Sequence, residues 1–190
     1  MGFLPEGYQK PASNSRYLKF EQGENKFRIL SDAIIGYIDW KREGDKKVPV
    51  RTKEQMPQMS DNKPKHFWSF VVWDYTSSSI KILEITQTTI QSAIYDLHAD
   101  DNWGDPKGYD LNVVKKGEKM ETKYNVIPTP PKDLAESIKT EYAKTRVDLN
   151  KLYSNEDPFI EKDGRAGAPA YPDQRMDEVD VEKALEDISL

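Results

Sequence analysis

Alternating polar and apolar positions dominate the chain between residues 26 and 86, and a period of two is typical of half-buried β-strands. The pattern predicts strands over 26–30, 34–40, 66–75 and 80–86. Residues 48–51 follow a polar turn over 41–47, and we expect them to pair with the second strand. A Met, Pro and Lys loop is expected over 52–65, and Gly36 indicates a bulge or bend within a strand.

A period near 3.6 replaces this alternation after residue 87. Ile90, Ile94 and Leu97 recur at i, i+4 and i+7, which predicts a helix over 88–99. A second hairpin is expected from 109–115 and 122–127, and a second helix over 132–145. Two hairpins around a helix predict a mainly β protein with an OB fold, a five-stranded Greek-key barrel carrying one or two helices. A generic α+β sandwich has the same order of elements and stays open.

Charge divides the chain unevenly. Residues 1–150 hold 23 Lys+Arg and 22 Asp+Glu, whereas residues 151–190 hold 5 and 11. We therefore expect a flexible arm over 1–15, one domain over 16–150 and an acidic, largely disordered tail over 151–190. The tail is interpreted either as a polyanion mimic or as a solubility tail. Within it, Val181, Leu185 and Ile188 recur at helical spacing and are candidate contacts to a protein partner.

The composition excludes some kinds of catalytic and metal site, and the sequence offers no evident site for a cofactor. Cysteine is absent and there are two histidines, so cysteine chemistry and a histidine metal cluster are excluded. Asp100, Asp101 and Asp105 crowd one loop, but their spacing misses the calcium-loop pattern and favours a solvated turn. No catalytic motif, membrane-spanning run or signal peptide is visible, which suits a cytoplasmic protein that is not an enzyme and needs no metal.

Basic residues cluster around the 41–47 turn, with only Glu43 and Asp45 to oppose them. Positive charge at a hairpin tip beside a β domain favours contact with nucleic-acid phosphates, although a solvated loop would have the same composition. The candidate phosphate contacts are Lys41, Arg42, Lys46, Lys47, Arg51 and Lys53. Arg28 and Lys81 are added as cations that could share the same face.

Aromatic residues are concentrated in the strands next to this basic segment. Alternation places Phe67, Ser69, Val71 and Trp73 on one face of strand 66–75, and Trp68, Phe70 and Val72 on the other. Both faces are largely apolar, so one belongs to the core and the other is either covered or offers rings to a ligand. The candidate rings for stacking on bases are Tyr37, Trp40, Trp68 and Tyr75.

Five segments resemble phage-encoded single-stranded DNA-binding proteins in order and spacing. They are Tyr17-Leu18-Lys19-Phe20, 23–30, 67–74, Trp103-Gly104-Asp105-Pro106 with Tyr109-Asp110-Leu111, and 124–128. The resemblance covers about residues 15–130. It implies an OB fold, sequence-tolerant binding of single strands and an acidic C-terminal tail that meets replication proteins. Some relatives hold a structural zinc with cysteines and histidine, and this chain cannot build that site.

The expectation is therefore a single-stranded DNA-binding protein that acts in phage DNA replication, recombination or repair in the bacterial cytoplasm, with possible self-association on DNA. Three alternatives stay open. They are a β-barrel protein-interaction module, a single-stranded RNA-binding protein, and a metal-dependent nuclease built on the 100–105 loop.

Overall fold

A computed structural model gives the structure of residues 15–160. The elements in chain order are β1 Gly23–Ile29, β2 Ile34–Glu43, β3 Lys46–Thr52, β4 Lys65–Asp74, β5 Ser79–Ile85, α1 Thr88–Ala99, β6 Asp110–Lys116, β7 Lys123–Pro128, α2 Glu136–Lys144, β8 Arg146–Val147 and β9 Phe159–Ile160. Short 3₁₀ helices span Pro106–Gly108, Lys119–Glu121 and Leu149–Ser154. Residues 1–14 of the predicted 1–15 arm and the candidate partner contacts Val181, Leu185 and Ile188 lie outside the described residues.

The protein is mainly β, as the sequence predicts, and seven strands form one antiparallel sheet. Its order is β3-β2-β4-β1-β6-β7, with β5 paired to β4. The first half of β4 pairs with β2, from Lys65 opposite Ile38 to Ser69 opposite Ile34. The second half of the same edge pairs with β1. Therefore β1 and β2 act as one long strand that is interrupted at residues 30–33.

One glycine allows this long strand to change partners. At Gly36, a Cβ atom would lie 2.1 Å from the carbonyl oxygen of Thr52, a clash with backbone. Tyr37, the next residue, pairs with both His66 of β4 and Thr52 of β3. The close approach of three strands at this point thus requires a residue without a side chain.

Among the described residues, the sheet does not close through direct pairing of β5 with β7. Residues 16–18 instead lie along β5, where Tyr17 pairs in parallel with Ile82. The amide of Leu18 donates to the Ile82 carbonyl, and the amide of Ile82 donates to the Arg16 carbonyl, both at 2.9 Å. The segment that precedes β1 therefore satisfies part of the β5 edge.

Two apolar layers pack on opposite faces of β4, and the predicted alternation of this strand is confirmed. Phe70 and Val72 point into the main core with Phe27, Leu83 and the buried side of α1. Val71 points to the other face, where Leu149 and Leu152 cover it together with Ile80 and Ile82. The second aromatic face is thus largely covered by the C-terminal part of the described chain.

This covering segment corrects the predicted boundary at residue 151. Residues 151–160 complete a 3₁₀ helix and supply β9, and Leu152 is only 3% exposed. Leu152 and the residues around it bury the apolar face of β4 and β5, which the charge count could not anticipate. The expectation for 161–190 lies outside the described residues.

Other local boundaries also differ from the predictions, and β1 begins at Gly23, three residues before its predicted start. The β2–β3 hairpin has a two-residue loop at Gly44 and Asp45, so most of the predicted 41–47 turn is strand. Helix α2 is shorter than predicted because it begins only at Glu136, after a proline-rich segment. Helix α1 has the predicted bounds of 88–99.

Candidate nucleic-acid interface

A groove of about 300 Å³ opens between the β2–β3 hairpin, the end of β5 and the β6–β7 hairpin. Segment 17–20 and residues 62–65, which end the loop and begin β4, complete its rim. The groove combines four lysines with four aromatic rings, namely Lys19, Lys63, Lys65 and Lys115 with Tyr17, Phe20, Trp40 and Tyr124. It therefore brings together the two kinds of side chain that bind single-stranded nucleic acids.

Segment 17–20 forms one wall of the groove and is held from two sides. Its pairing with Ile82 fixes one side. On the other side, the Phe20 ring lies 6.0 Å from the Tyr124 ring, and Lys115 Nζ donates to the Phe20 carbonyl at 3.3 Å. These contacts join a segment from before β1 to the β6–β7 hairpin.

The opposite wall depends on the buried carboxylate of Asp39. Its Oδ1 accepts from the Trp40 amide at 2.7 Å, and its Oδ2 accepts from the amides of Met59 and Ser60 at 2.6 and 3.1 Å. Burial favours a higher pKa for Asp39, but these hydrogen bonds and one from the Ser60 hydroxyl hold its pKa below the usual range. The ionised carboxylate thus fixes the loop before Lys63 beside Trp40.

A buried ion pair lies at the floor of the groove. Arg51 Nε and Nη2 donate to the two carboxylate oxygens of Glu84 at 2.7 and 3.3 Å. Arg51 is 6% exposed, so it is a structural residue at the base of the groove and is not an exposed contact for phosphate. Nearby, burial raises the pKa of Tyr17 to about 12.

The two faces of the β2–β3 hairpin divide the predicted cations. Side chains of directly opposed residues in an antiparallel pair share one face. Trp40 opposes Pro49 and Arg42 opposes Lys47, so Arg42 and Lys47 lie on the face of Trp40. Lys41 and Lys46 oppose Val48 and Glu43 on the other face. The face that carries Trp40 therefore also carries two of the predicted cations, Arg42 and Lys47.

Two more predicted cations are buried against carboxylates, which corrects the expectation that they present charge at the surface. Arg28, 2% exposed, donates to Asp110 and to the carbonyls of Lys107 and Lys132. Lys81 is 7% exposed, and its Nζ lies 2.9 Å from Oδ2 of Asp74. Lys53 is exposed, and its ammonium lies 5.4 Å from the centre of the Tyr153 ring.

The four candidate rings lie in four different surroundings. Trp40 lines the groove. Tyr37 makes an edge contact with His66, 5.4 Å between ring centres, on the opposite face of β2. Trp68 packs against the main core. The Tyr75 hydroxyl donates to Asp110 at 2.9 Å and its ring contacts Lys26, so it lies in a separate cationic cluster.

Several groove residues were not among the sequence candidates. Lys19 and Phe20 belong to a segment without a clear pattern, and Lys115 and Tyr124 belong to strands without an unusual charge. Lys63 and Lys65 follow the basic hairpin in sequence, and their proximity to it was the one available signal. The other four become neighbours only through tertiary structure.

A second pocket, of about 250 Å³, lies between α1, β4 and the connection from β1 to β2. Its lining is mostly apolar and includes Trp68, Phe70 and Ile94, with Tyr95 exposed at the rim. It offers aromatic surface but little positive charge, in contrast to the groove.

The acidic loop after α1 is organised by its own hydrogen bonds. Asp100 Oδ1 accepts from the Asn102 amide at 2.7 Å, and Asp105 Oδ1 accepts from the Lys107 amide at 2.9 Å. Within residues 15–160, no cluster of three or more histidine or carboxylate side chains is arranged to hold a metal ion. In the same part of the chain, no helix has the length and apolar character needed to cross a membrane.

Comparison with protein-family models, curated proteins and solved structures gave no match for this chain.

Proposed function

We propose that this protein binds single-stranded DNA in the groove, with little sequence preference and without chemistry. The observation that carries the proposal is the convergence of four lysines from three separate segments around Trp40 and Tyr124. Ammonium groups release counterions from phosphates, and rings stack on bases at about 1–3 kcal/mol per base. Stacking tolerates any base, which accounts for weak sequence preference.

The two carboxylates in the groove support this function because both are already engaged. Glu84 accepts two hydrogen bonds from Arg51, and Asp39 in β2 accepts from the backbone amides of Met59 and Ser60 in the loop after β3. Their negative charge is therefore partly compensated within the protein. The four lysines of the groove add positive charge where a phosphate chain would pass.

The order of elements supports assignment to the OB fold. In that fold a long bent first strand pairs with two neighbours, a helix follows the third strand, and a last hairpin returns beside the first strand. Here those parts would be β1 with β2, then β4, β5, α1 and the β6–β7 hairpin. OB folds bind oligonucleotides between the loops that correspond here to 41–64 and 117–122. The groove lies between those two regions.

The biological setting follows from the resemblance to phage-encoded proteins. We infer a role in phage DNA replication, recombination or repair in the host cytoplasm, with the acidic C-terminal residues contacting replication proteins. Stacking and phosphate contacts serve RNA as well as DNA, so RNA binding is the closest alternative.

A fluorescence titration tests the proposal directly. Single-stranded DNA, duplex DNA and RNA of equal length would be compared at 50 and 200 mM salt. We expect the tightest binding to single-stranded DNA, with affinity falling steeply as salt rises. Equal or tighter binding to duplex DNA would contradict the proposal, and preference for RNA would favour the alternative.

The second pocket supports one rival function, that of a protein-interaction module. Its apolar lining, with Tyr95 60% exposed beside it, suits a partner's apolar side chain better than a phosphate chain. This rival predicts no salt-sensitive binding of any oligonucleotide in the titration above.

A further inference from the structure

Three cations converge on one buried carboxylate, that of Asp110 at the start of β6, which lies outside the groove. Asp110 is fully buried, and its Oδ1 lies 3.1 Å from Arg28 Nη1. Its Oδ2 lies 3.4 Å from Lys26 Nζ and 2.8 Å from Lys132 Nζ. One negative charge thus faces three positive charges, which leaves a local excess of two.

The excess charge resides on the two lysines. Arg28 is buried and its other nitrogens donate to the carbonyls of Lys107 and Lys132. The side chains of Lys26 and Lys132 are instead 42% and 52% exposed. Solvent, or a ligand, therefore has access to both ammonium groups while Asp110 holds them in place.

The Tyr75 ring fixes the same two ammonium groups from a second side. Lys26 Nζ lies 4.9 Å from the ring centre and Lys132 Nζ lies 6.0 Å from it, within the range of cation–π contacts. Since both nitrogens approach one oxygen of Asp110, they are at most about 6.2 Å apart, the sum of their distances to it. Such preorganisation lowers the entropy lost when an anion binds.

We propose that Lys26 and Lys132 form a second phosphate-binding site for the backbone of the bound strand. This inference rests on the proposed function and extends it beyond the groove. A phosphodiester has two non-bridging oxygens, so one phosphate can accept a hydrogen bond from each ammonium group. Tyr75 and Asp110 are positioning residues in this site. The ring of Tyr75 contacts the two ammonium groups and does not stack on a base.

The position of the site predicts a dependence on strand length. Lys65, at the start of β4, lines the groove, whereas Tyr75 follows the last residue of that strand. At about 3.3 Å per residue, Tyr75 lies roughly 30 Å from Lys65 at the far end of the groove, whereas Asp110 lies five residues along β6, or roughly 17 Å, from Lys115 at the near end. An oligonucleotide of about 4 nucleotides, the short limit for one OB fold, fits the groove alone, and one of about 16 can reach both sites.

The test compares the Lys26→Gln and Lys132→Gln variants, singly and together, for binding of (dT)₄ and (dT)₁₆ over a salt series. We expect the double variant to flatten the log K against log salt slope for (dT)₁₆ by about 0.7, one phosphate contact on a single strand. Affinity for (dT)₄ should change by less than about twofold. Lys139→Gln is the matched control, because that lysine is 50% exposed and is paired with Glu136.

The outcomes separate this inference from the function on which it rests. An unchanged (dT)₁₆ slope, or an equal loss for both lengths, would overturn the second site even if groove variants weaken binding. Failure of the unmodified protein to bind either oligonucleotide would contradict the proposed function itself. Thermal unfolding of each variant shows whether a loss of affinity is caused by loss of the folded state. The single variants are the safer comparison, because each keeps one lysine and Arg28 in contact with Asp110.

Discussion

Arg28 and Asp110 form a buried ion pair, with Nη1 of the arginine 3.1 Å from Oδ1 of the aspartate, across 82 positions of sequence. The pair joins β1 to the start of β6. The Tyr75 hydroxyl also donates a hydrogen bond to the Asp110 carboxylate. Arg28 was a candidate for contacting DNA, and its burial makes it a structural residue instead. A cation's position in the sequence does not reveal a carboxylate partner so distant along the chain.

Replacing Asp110 should destabilise the fold strongly. Asp110→Asn leaves the buried Arg28 guanidinium without a counterion, and breaking a buried ion pair in this way costs about 3–5 kcal/mol. Urea unfolding of the variant should give a correspondingly lower free energy of unfolding. Glu136→Gln, at an exposed ion pair on α2, is the control and should unfold like the unmodified protein. Equal stability of both variants would contradict the structural role of the pair.

Acid should weaken the fold through the same carboxylate. Burial favours a higher pKa for Asp110, but hydrogen bonds from Lys132, Tyr75 and Arg28 outweigh it and hold the pKa below the usual range. A lowered folded-state pKa contributes stability that is complete above the unfolded pKa of about 3.9 and is lost as pH falls through the folded-state pKa. Melting temperature should therefore fall below about pH 4, and less steeply in Asp110→Asn. Parallel curves for the two proteins would refute this assignment.

Two tryptophans should respond to substitution in opposite ways. Trp40→Ala should reduce affinity for single strands by about 1–3 kcal/mol with little change in melting temperature, because the ring lines the groove. Trp68→Ala should instead lower stability by about 3 kcal/mol and leave the affinity of the folded protein unchanged, because Trp68 packs against the core. Binding titrations and thermal unfolding of both variants provide the measurements. A loss of stability without a loss of affinity at Trp40 would remove it from the interface.

Truncation should locate the end of the folded domain. Ending the chain at residue 160 keeps Leu149 and Leu152 on the outer face of β4 and β5 and should leave the melting temperature unchanged. Ending it at residue 148 exposes that face and should lower stability by at least the 2–5 kcal/mol typical of one deleted core leucine. A large stability loss for the chain ending at residue 160 would show that later residues belong to the fold.

A shorter truncation, which removes only residues 171–190, tests the acidic tail as a competitor for the groove. Residues 171–190 carry 7 Asp+Glu and 2 Lys+Arg. Their removal should raise affinity for single strands, mostly at low salt, where charge interactions are least screened. It should also abolish binding to replication proteins. Equal affinity at low salt with and without these residues would exclude the competition.

Local patterns predicted the elements better than they predicted the site. The bounds of α1 follow from Ile90, Ile94 and Leu97, and the two faces of β4 follow from strict alternation. Both depend on interactions within a few residues along the chain. The open edge between β5 and β7, by contrast, is partly satisfied by residues 16–18, which no local pattern indicated.

The interface could be predicted only in part for a related reason. The basic hairpin and Trp40 were recognisable because charge and rings are adjacent in sequence. In the sequence, Arg51 could not be distinguished from the other cations of the basic hairpin. Its ion pair with Glu84, 33 positions away, nevertheless makes it a structural residue. Lys19 and Lys115 lie 96 positions apart and line one groove only because segment 17–20 packs beside β6 and β7.

Two double variants of the β2–β3 hairpin test the central claim most directly, because they remove equal charge from opposite faces. Arg42 and Lys47 share the face of Trp40, and Lys41 and Lys46 lie on the other face. If the bound DNA follows the Trp40 face, the Arg42→Ala and Lys47→Ala double variant should flatten the log K against log salt slope of single-stranded DNA binding. The expected change is about 1.4, which corresponds to two phosphate contacts. Lys41→Ala with Lys46→Ala should change the slope by less than half as much. Equal slopes for the two double variants, or a larger effect of the second, would contradict the account.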